Sequence, residues 1–337
     1  MSRFKAALAA LAFISTPALA GKTLDAIKAR GQIACGVSTG VIGFSAADSQ
    51  GQWKGLDVDV CKALAAAVLG DATKVRWVPL SSQQRFTALQ SGEVDILSRN
   101  TTWSLTRDAA LGLHFTAVTY YDGQGFLVSK KTRVTSAKQL KNAEICVQSG
   151  TTTEKNLTDY FRAQGIKVKP VVFDKFEASI KAFFSGRCQA YTTDASALAF
   201  IRSKEAASPD DYVVLPEIIS KEPLGPAIRR GDDEWFAIVK WTINALIEAE
   251  ELGITQAKVD SLKASPDPAI QRFLGVGEDL GKSLGLHREW AARAVKAVGN
   301  YGEIFNRNLG ADSPLKLPRG LNAQWNKGGI LYALPLR

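Results

Sequence analysis

The sequence predicts an α/β protein of two lobes, each a mostly parallel sheet flanked by helices, joined where the chain crosses between them twice. Three observations carry this prediction. Strand-like runs alternate with helix-like runs, which implies βαβ units. The alternation plays out in two rounds, separated by the turn-rich segment Thr119 to Ser129 (TYYDGQGFLVS), and Glu217 to Arg229 (EIISKEPLGPAIR) follows as a second connector. Finally, 337 residues is about twice a typical domain length.

The elements follow in order. Gln32 to Val37 (QIACGV) reads as a strand. Asp57 to Leu69 reads as a helix, with Val58, Cys61, Leu64, Ala65 and Val68 on one face. Lys74 to Pro79 is a strand, Gln83 to Ser91 a helix stopped by Gly92, and Val94 to Leu97 a strand. The second round has a strand at Glu144 to Val147, then SGTTTE opens a helix to Ala163. Lys167 to Phe173 is a strand, Phe176 to Ser185 a helix stopped by Gly186, and Gln189 to Thr192 a strand. Asp194 then caps a helix to about Lys204. A long helix runs from Asp232 to Leu252, and the amphipathic stretches Pro268 to Leu274 and Leu286 to Phe305 are expected to pack on the first lobe. In such sheets ligands bind beyond the strand C-termini, facing a cleft that closes about a hinge.

The chain therefore divides into residues 1–20, 21–122 as the first part of lobe 1, 123–222 as lobe 2, and 223–337 as the return to lobe 1 with a C-terminal extension. Residues 1–20 (MSRFKAALAALAFISTPALA) read as an export signal. Arg3 and Lys5 precede an apolar core, and Ala18-Leu19-Ala20 matches the small-x-small cleavage pattern, so cleavage after Ala20 and a periplasmic location are expected. The apolar run is too short to span a bilayer.

Composition narrows the function. At 46% hydrophobic and 22% charged residues, the chain is ordinary globular material. The net charge of +9 falls to +7 without Arg3 and Lys5 and is scattered, so nucleic acid is not expected as a partner. With two histidines, His114 and His287, a multi-histidine metal site is excluded, and no metal or cofactor is expected. Four cysteines, Cys35, Cys61, Cys146 and Cys188, include no C-x-x-C spacing. Export favours two disulfides. One bridge per lobe, Cys35–Cys61 and Cys146–Cys188, is the simplest of three pairings, with free thiols the alternative.

Two catalytic patterns fail on their context. Gly36-Val37-Ser38-Thr39-Gly40 fits the nucleophile elbow G-x-S-x-G, with Ser38 as nucleophile and His287 as base. An elbow needs a helix right after the serine, and Val41-Ile42-Gly43-Phe44 does not start one. Gly275 to Ser283 (GVGEDLGKS) lacks the first glycine of a phosphate loop, where Val276 stands. Asp57 and Asp59 are read as favouring a helix N-terminus, and the sequon Asn100-Thr101-Thr102 as incidental.

Gly55-Leu56-Asp57-Val58-Asp59-Val60, followed by Leu64, Ala65 and Val68, resembles the signature of the family 3 extracellular solute-binding proteins, the polar amino-acid receptors of ABC importers. SSQQRFTALQSGEVDIL, RNTTWSLTRD, VQSGTTTE and SGRCQAYTTD resemble further family segments, in order, across Leu24 to Leu252. The tail and the NTTW segment are most similar to the general L-amino-acid-binding subgroup. The resemblance implies capture of L-amino acids by closure of two lobes, delivery to an inner-membrane ABC permease, and a monomeric receptor. The alternative is an exported enzyme on the same fold, a dehydratase or the hydrolase above.

The resemblance also assigns site residues. Arg107 grips the ligand α-carboxylate in a two-pronged, charge-assisted pair. The Thr102 hydroxyl and the backbone near Asn100 complete that shell, with N–H groups of Thr151 and Thr152 at a helix start. Asp194 holds the α-ammonium. Arg85, with Ser82, matches a position that contacts acidic side chains in aspartate/glutamate-binding relatives, and Phe176 stands where those relatives carry His. A roomier site accepting acidic and amide ligands is implied. Phe44 lies in a loop near the ligand side chain, after Gly43 in place of the usual proline. Gln189 replaces the Asp of a G-R-x-D-A pattern and is assigned to packing.

Overall fold

The computed structural model describes residues 23–337, and the expected export signal lies outside the described residues. Lobe 1 opens with α1 (Thr23–Arg30), β1 (Ile33–Val37), a small hairpin of β2 (Ala46–Ala47) and β3 (Trp53–Lys54), and α2 (Leu56–Leu69). It continues with β4 (Val75–Pro79), α3 (Arg85–Ser91), β5 (Ile96–Leu97) and β6 (Leu113–Phe115). The chain crosses through β7 (Tyr120–Asp122). Lobe 2 holds β8 (Gln124–Ser129), β9 (Glu144–Gln148), α4 (Thr152–Ala163), β10 (Lys169–Phe173), α5 (Phe176–Phe184), β11 (Ala190–Asp194), α6 (Ala195–Phe200) and β12 (Tyr212–Val214). It returns through β13 (Glu222–Leu224) to β14 (Ala227–Arg229). Then come α7 (Asp233–Glu251), α8 (Pro268–Phe273), α9 (Trp290–Val298) and α10 (Tyr301–Asn308).

The two sheets share one plan. Lobe 1 has the order β4-β1-β5-β14-β6 and lobe 2 the order β10-β9-β11-β8-β12. The second strand of each, β1 or β9, is parallel to both neighbours. The fourth, β14 or β8, is antiparallel to both neighbours. Four of the five strands in each sheet therefore run the same way, the mostly parallel pattern expected, with one reversed strand in each. The parallel strands end at the cleft, and a strand reached through the hinge starts there, so it runs against them.

This explains the main departure from the sequence reading. Only Tyr120–Asp122 of the first connector is a crossing. Gln124–Ser129 is the buried antiparallel strand of lobe 2. Likewise Ala227–Arg229 belongs to the sheet of lobe 1. The two crossings pair with each other, Glu222 opposite Asp122 and Leu224 opposite Tyr120, so the hinge is a two-stranded ribbon.

Helix α2 is buried along nearly its whole length, which its alanine-rich sequence permits. It packs against α9 of the C-terminal extension, whose Trp290, Ala291, Ala294, Val295 and Val298 join the core of lobe 1. The single helix expected over Leu286 to Phe305 breaks at Gly299, and Asn300 restarts it with a capping box to Glu303. Gly55, before α2, has φ 134°, and a Cβ there would lie 2.0 Å from the Phe44 carbonyl oxygen, so the position requires glycine. The disulfides are Cys35–Cys61, tying β1 to α2, and Cys146–Cys188, tying β9 to the approach to β11. Closing loops of 26 and 42 residues stabilises each lobe by about 3–4 kcal/mol in the chain-entropy view.

The extension also reaches the hinge. The Tyr301 hydroxyl donates to the Thr119 carbonyl at 2.7 Å. The Asn322 side chain accepts from the Tyr121 N–H at 2.7 Å and donates to the Tyr121 carbonyl at 3.1 Å, occupying the edge of β7 that faces away from β13.

Candidate ligand-binding site

The cleft is built from the loops after the parallel strands. On lobe 1 the segment after β5 carries Arg99, Asn100 and Thr102. Its path is held by Asp57 at the start of α2, whose carboxylate accepts from the Asn100 N–H at 2.6 Å. That bond supports a left-handed Asn100, φ 33°, a conformation asparagine tolerates. Burial pushes the Asp57 carboxyl up to about 7, against the opposing pull of the Asn100 N–H and Arg99. Asp57 therefore shapes the site loop, a more specific task than favouring a helix end. Asp59 instead binds Arg307 and Asn308 of the extension.

Three guanidinium groups converge on the lobe 1 face. Arg107 leaves a short π-helical turn, and its Nη1 donates to the Thr102 carbonyl at 3.0 Å. The group lies 5.2 Å from the centre of the Phe86 ring. Arg85 donates to the Thr101 hydroxyl at 3.4 Å and, across the cleft, to the Gly150 carbonyl at 3.2 Å. Its Nε is buried without a partner in the protein. Arg99 donates to the Leu80 carbonyl at 2.8 Å and to the Ser82 hydroxyl at 3.1 Å. Among the described residues, none of the three forms an ion pair; Asp108, next to Arg107, pairs with Arg230. Burial, then mutual repulsion, lowers the pKa of Arg85 well below its ordinary value, and desolvation brings Arg99 down to about 10.

Lobe 2 presents the opposite sign. Asp194 is the last residue of β11 and holds the N-cap position of α6, yet its side chain makes no capping bond, contrary to the expected cap. Among the described residues nothing donates to its carboxylate. Burial, then the neighbouring Asp122 and Glu222 charges, raise its pKa well above the ordinary value. Beside it α4 begins. Thr151 caps it by accepting from the Glu154 N–H at 3.1 Å, and Thr152 follows at the first turn. Phe176 and Ala197 form the apolar part of the wall.

The cleft lining includes eight of the nine predicted ligand residues: Ser82, Arg85, Asn100, Thr102, Arg107, Thr151, Thr152 and Asp194. Phe44 is the exception. It is 2% exposed, stacks edge-on against Tyr120 at 5.3 Å and is a core residue of lobe 1; Val41 lines the cleft in its loop. Gln189 lies outside the lining and accepts from the Glu144 N–H. Ser38 is fully buried, its hydroxyl held by Ser45. His287 sits in the extension, accepting from the Glu289 N–H at 3.1 Å, and neither histidine lines the cleft.

Residues 33–258 match the sequence model of the bacterial extracellular solute-binding proteins, family 3.

The chain belongs to that family. Within it, this solute-binding protein is 57% identical over 331 residues to the general L-amino acid-binding periplasmic protein AapJ of Rhizobium johnstonii, covering 98% of this chain and 97% of the relative. It is 54% identical over 332 residues to the glutamate/glutamine/aspartate/asparagine-binding protein BztA of Rhodobacter capsulatus, covering 97% of each. A solved periplasmic binding protein from Brucella ovis with glutathione bound superposes with a TM-score of 0.91 at 55% identity, covering 94% of this chain and 99% of that one.

Among the groups of this solute-binding protein that the sequence reading missed are Arg99, in the cleft lining, and Glu222, which bonds two lining threonines from the hinge. Arg99 stands inside the RNTTWSLTRD segment, so its signal was present and was passed over in favour of Asn100. Glu222 is 1% exposed on hinge strand β13. It lies in a connector whose composition carried no motif.

Proposed function

We propose that the protein is a periplasmic receptor that captures L-amino acids between its lobes and delivers them to an ABC importer of the inner membrane. The observation that carries this is Arg107 and Asp194. They are buried, opposite in charge, on opposite sides of one cleft, and neither is ion-paired within the described residues. A buried charge without a partner is costly, and an amino-acid zwitterion supplies both partners at once. Arg107 takes the α-carboxylate with the N–H groups of Thr151 and Thr152; Asp194 takes the α-ammonium.

Proton bookkeeping revises the role of the threonine hydroxyls. Those of Thr102 and Thr152 both donate to Glu222. Each hydroxyl has one proton, so its remaining lone pairs face the cleft. They suit the ammonium, which for Thr102 differs from the carboxylate role that the resemblance implies for its hydroxyl.

Beyond this head group, Arg85 Nε and Arg99 offer donors to the ligand side chain. This favours acidic and amide ligands, in keeping with the names of the two relatives. The Brucella structure adds glutathione, a γ-glutamyl peptide with its own α-amino-acid head, as a candidate for the same donors. Two lobes of one chain complete the site, so a monomer is expected.

A thermal-shift panel of the common L-amino acids and glutathione tests the reading. A true ligand at 100 times its Kd adds about 2.7 kcal/mol of stability. No shift with any compound of the panel would refute it.

A further inference from the structure

We infer that Glu222 is a positioning residue that latches the closed receptor from the hinge and sets the direction of two site hydroxyls. The inference rests on the amino-acid reading of the cleft. Glu222 belongs to neither lobe face; it sits on β13, in the ribbon that joins the lobes. One carboxylate oxygen accepts from the Thr102 hydroxyl of lobe 1 and, at 2.8 Å, from the Thr152 hydroxyl of lobe 2. The other accepts from Asn156 Nδ2 of α4 at 2.8 Å and from the Ser220 hydroxyl at 2.7 Å. Four donors from two lobes and the hinge thus share one buried carboxylate, and the Thr102 and Thr152 oxygens lie 3.3 Å apart beside it.

Two consequences follow from this geometry. One carboxylate oxygen holds Thr102 of lobe 1 and Thr152 of lobe 2 together, so this shared pair of bonds joins the lobes across the cleft. The bonds to Thr102 and Thr152 commit both hydroxyl protons, so both oxygens face the cleft as acceptors. Glu222 thereby acts on every amino-acid ligand alike, through the head group they share, and it touches no side chain that tells one ligand from another.

An amide in its place has one acceptor oxygen and one NH2 group. It leaves either the threonine pair or the Asn156–Ser220 pair facing donors. The test is Glu222→Gln, with calorimetry and stopped-flow kinetics on L-glutamate, L-glutamine and L-leucine. The expected result is at least tenfold weaker binding of each ligand the wild type binds, with their affinity ratios kept within twofold. The loss appears in the dissociation rate. Wild-type affinity in Glu222→Gln, or a loss confined to one ligand, overturns the inference while leaving the amino-acid reading intact. A wild type that binds none of the three overturns both. Should Glu222→Gln fail to fold, the double variant Asn156→Ala/Ser220→Ala strips one oxygen of its donors. A uniform loss of about threefold in that variant supports the latch, and an unchanged dissociation rate overturns it.

Discussion

The two faces of the cleft differ in charge and in how they are held. Lobe 1 presents Arg85, Arg99 and Arg107, fixed by carbonyls and hydroxyls of their own lobe and, for Arg85, also by the Gly150 carbonyl of lobe 2. Lobe 2 presents Asp194, which no described side chain holds, beside the N-terminus of α4. The difference teaches why the lobes need a ligand. Three cations face two buried carboxylates, Asp194 and Glu222, without an ion pair between them, so closure on an empty cleft leaves buried charge uncompensated. Head-group recognition is split across the lobes, whereas the spare guanidinium groups for side-chain recognition all lie on lobe 1.

Removing one charge from each face tests this split most strongly. Arg107→Ala is expected to weaken binding of every amino acid by about a hundredfold or more, since the ligand carboxylate then loses a charge-assisted pair and leaves Asp194 worse matched. Asp194→Asn should cost a similar factor for every ligand. Calorimetry on a ligand panel measures both, and retention of wild-type affinity in either variant would break the proposed division of labour.

The next effect belongs to lobe 1 alone. Arg85→Ala is expected to weaken acidic ligands about tenfold while neutral ones change less than threefold. Arg99→Ala should do the same to a smaller degree, because two of its bonds already go to Leu80 and Ser82. A uniform loss across the panel would move Arg85 from side-chain recognition to the head group.

The smallest effect is the pH trend, and it has opposite signs for the two properties. Burial raises Asp57 to about 7 and Asp122 to about 6, so the folded protein binds protons that the unfolded chain has released. Their contribution to stability is full below the unfolded value near 3.8 and is lost as pH rises through 6 to 7. Ligand affinity runs the other way, since the raised Asp194 must be ionised to hold an ammonium. Acid should weaken binding while the contribution of these carboxyls to the unliganded fold grows. Asp57→Asn should flatten the stability slope between pH 4 and 7 without altering the affinity slope. Denaturant melts and calorimetry across that range check both.

Much of this was legible in local pattern. The strand–helix rhythm, the glycine stops at Gly92 and Gly186 and the start of α4 are all encoded within a few residues, so the sequence reading placed them closely. The site motifs were legible because each is a short loop after a strand. Phe44 was misplaced because burial depends on what packs over a loop, here Tyr120 of the hinge. The connector at 119–129 was misread because its Tyr and Gly residues mask a strand whose partners, β11 and β12, come later in the chain.

By itself, then, the sequence determined the two-lobe α/β plan and most of the cleft loops, because these follow from local propensity and short motifs. The tertiary structure alone decided which cysteines pair, that Asn322 borders the hinge, and that Glu222 binds both lobes. Glu222 meets Thr152 across 70 residues and Thr102 across 120. A contact at such separation leaves no periodicity in the chain, and only the packing of distant elements brings its donors to one carboxylate.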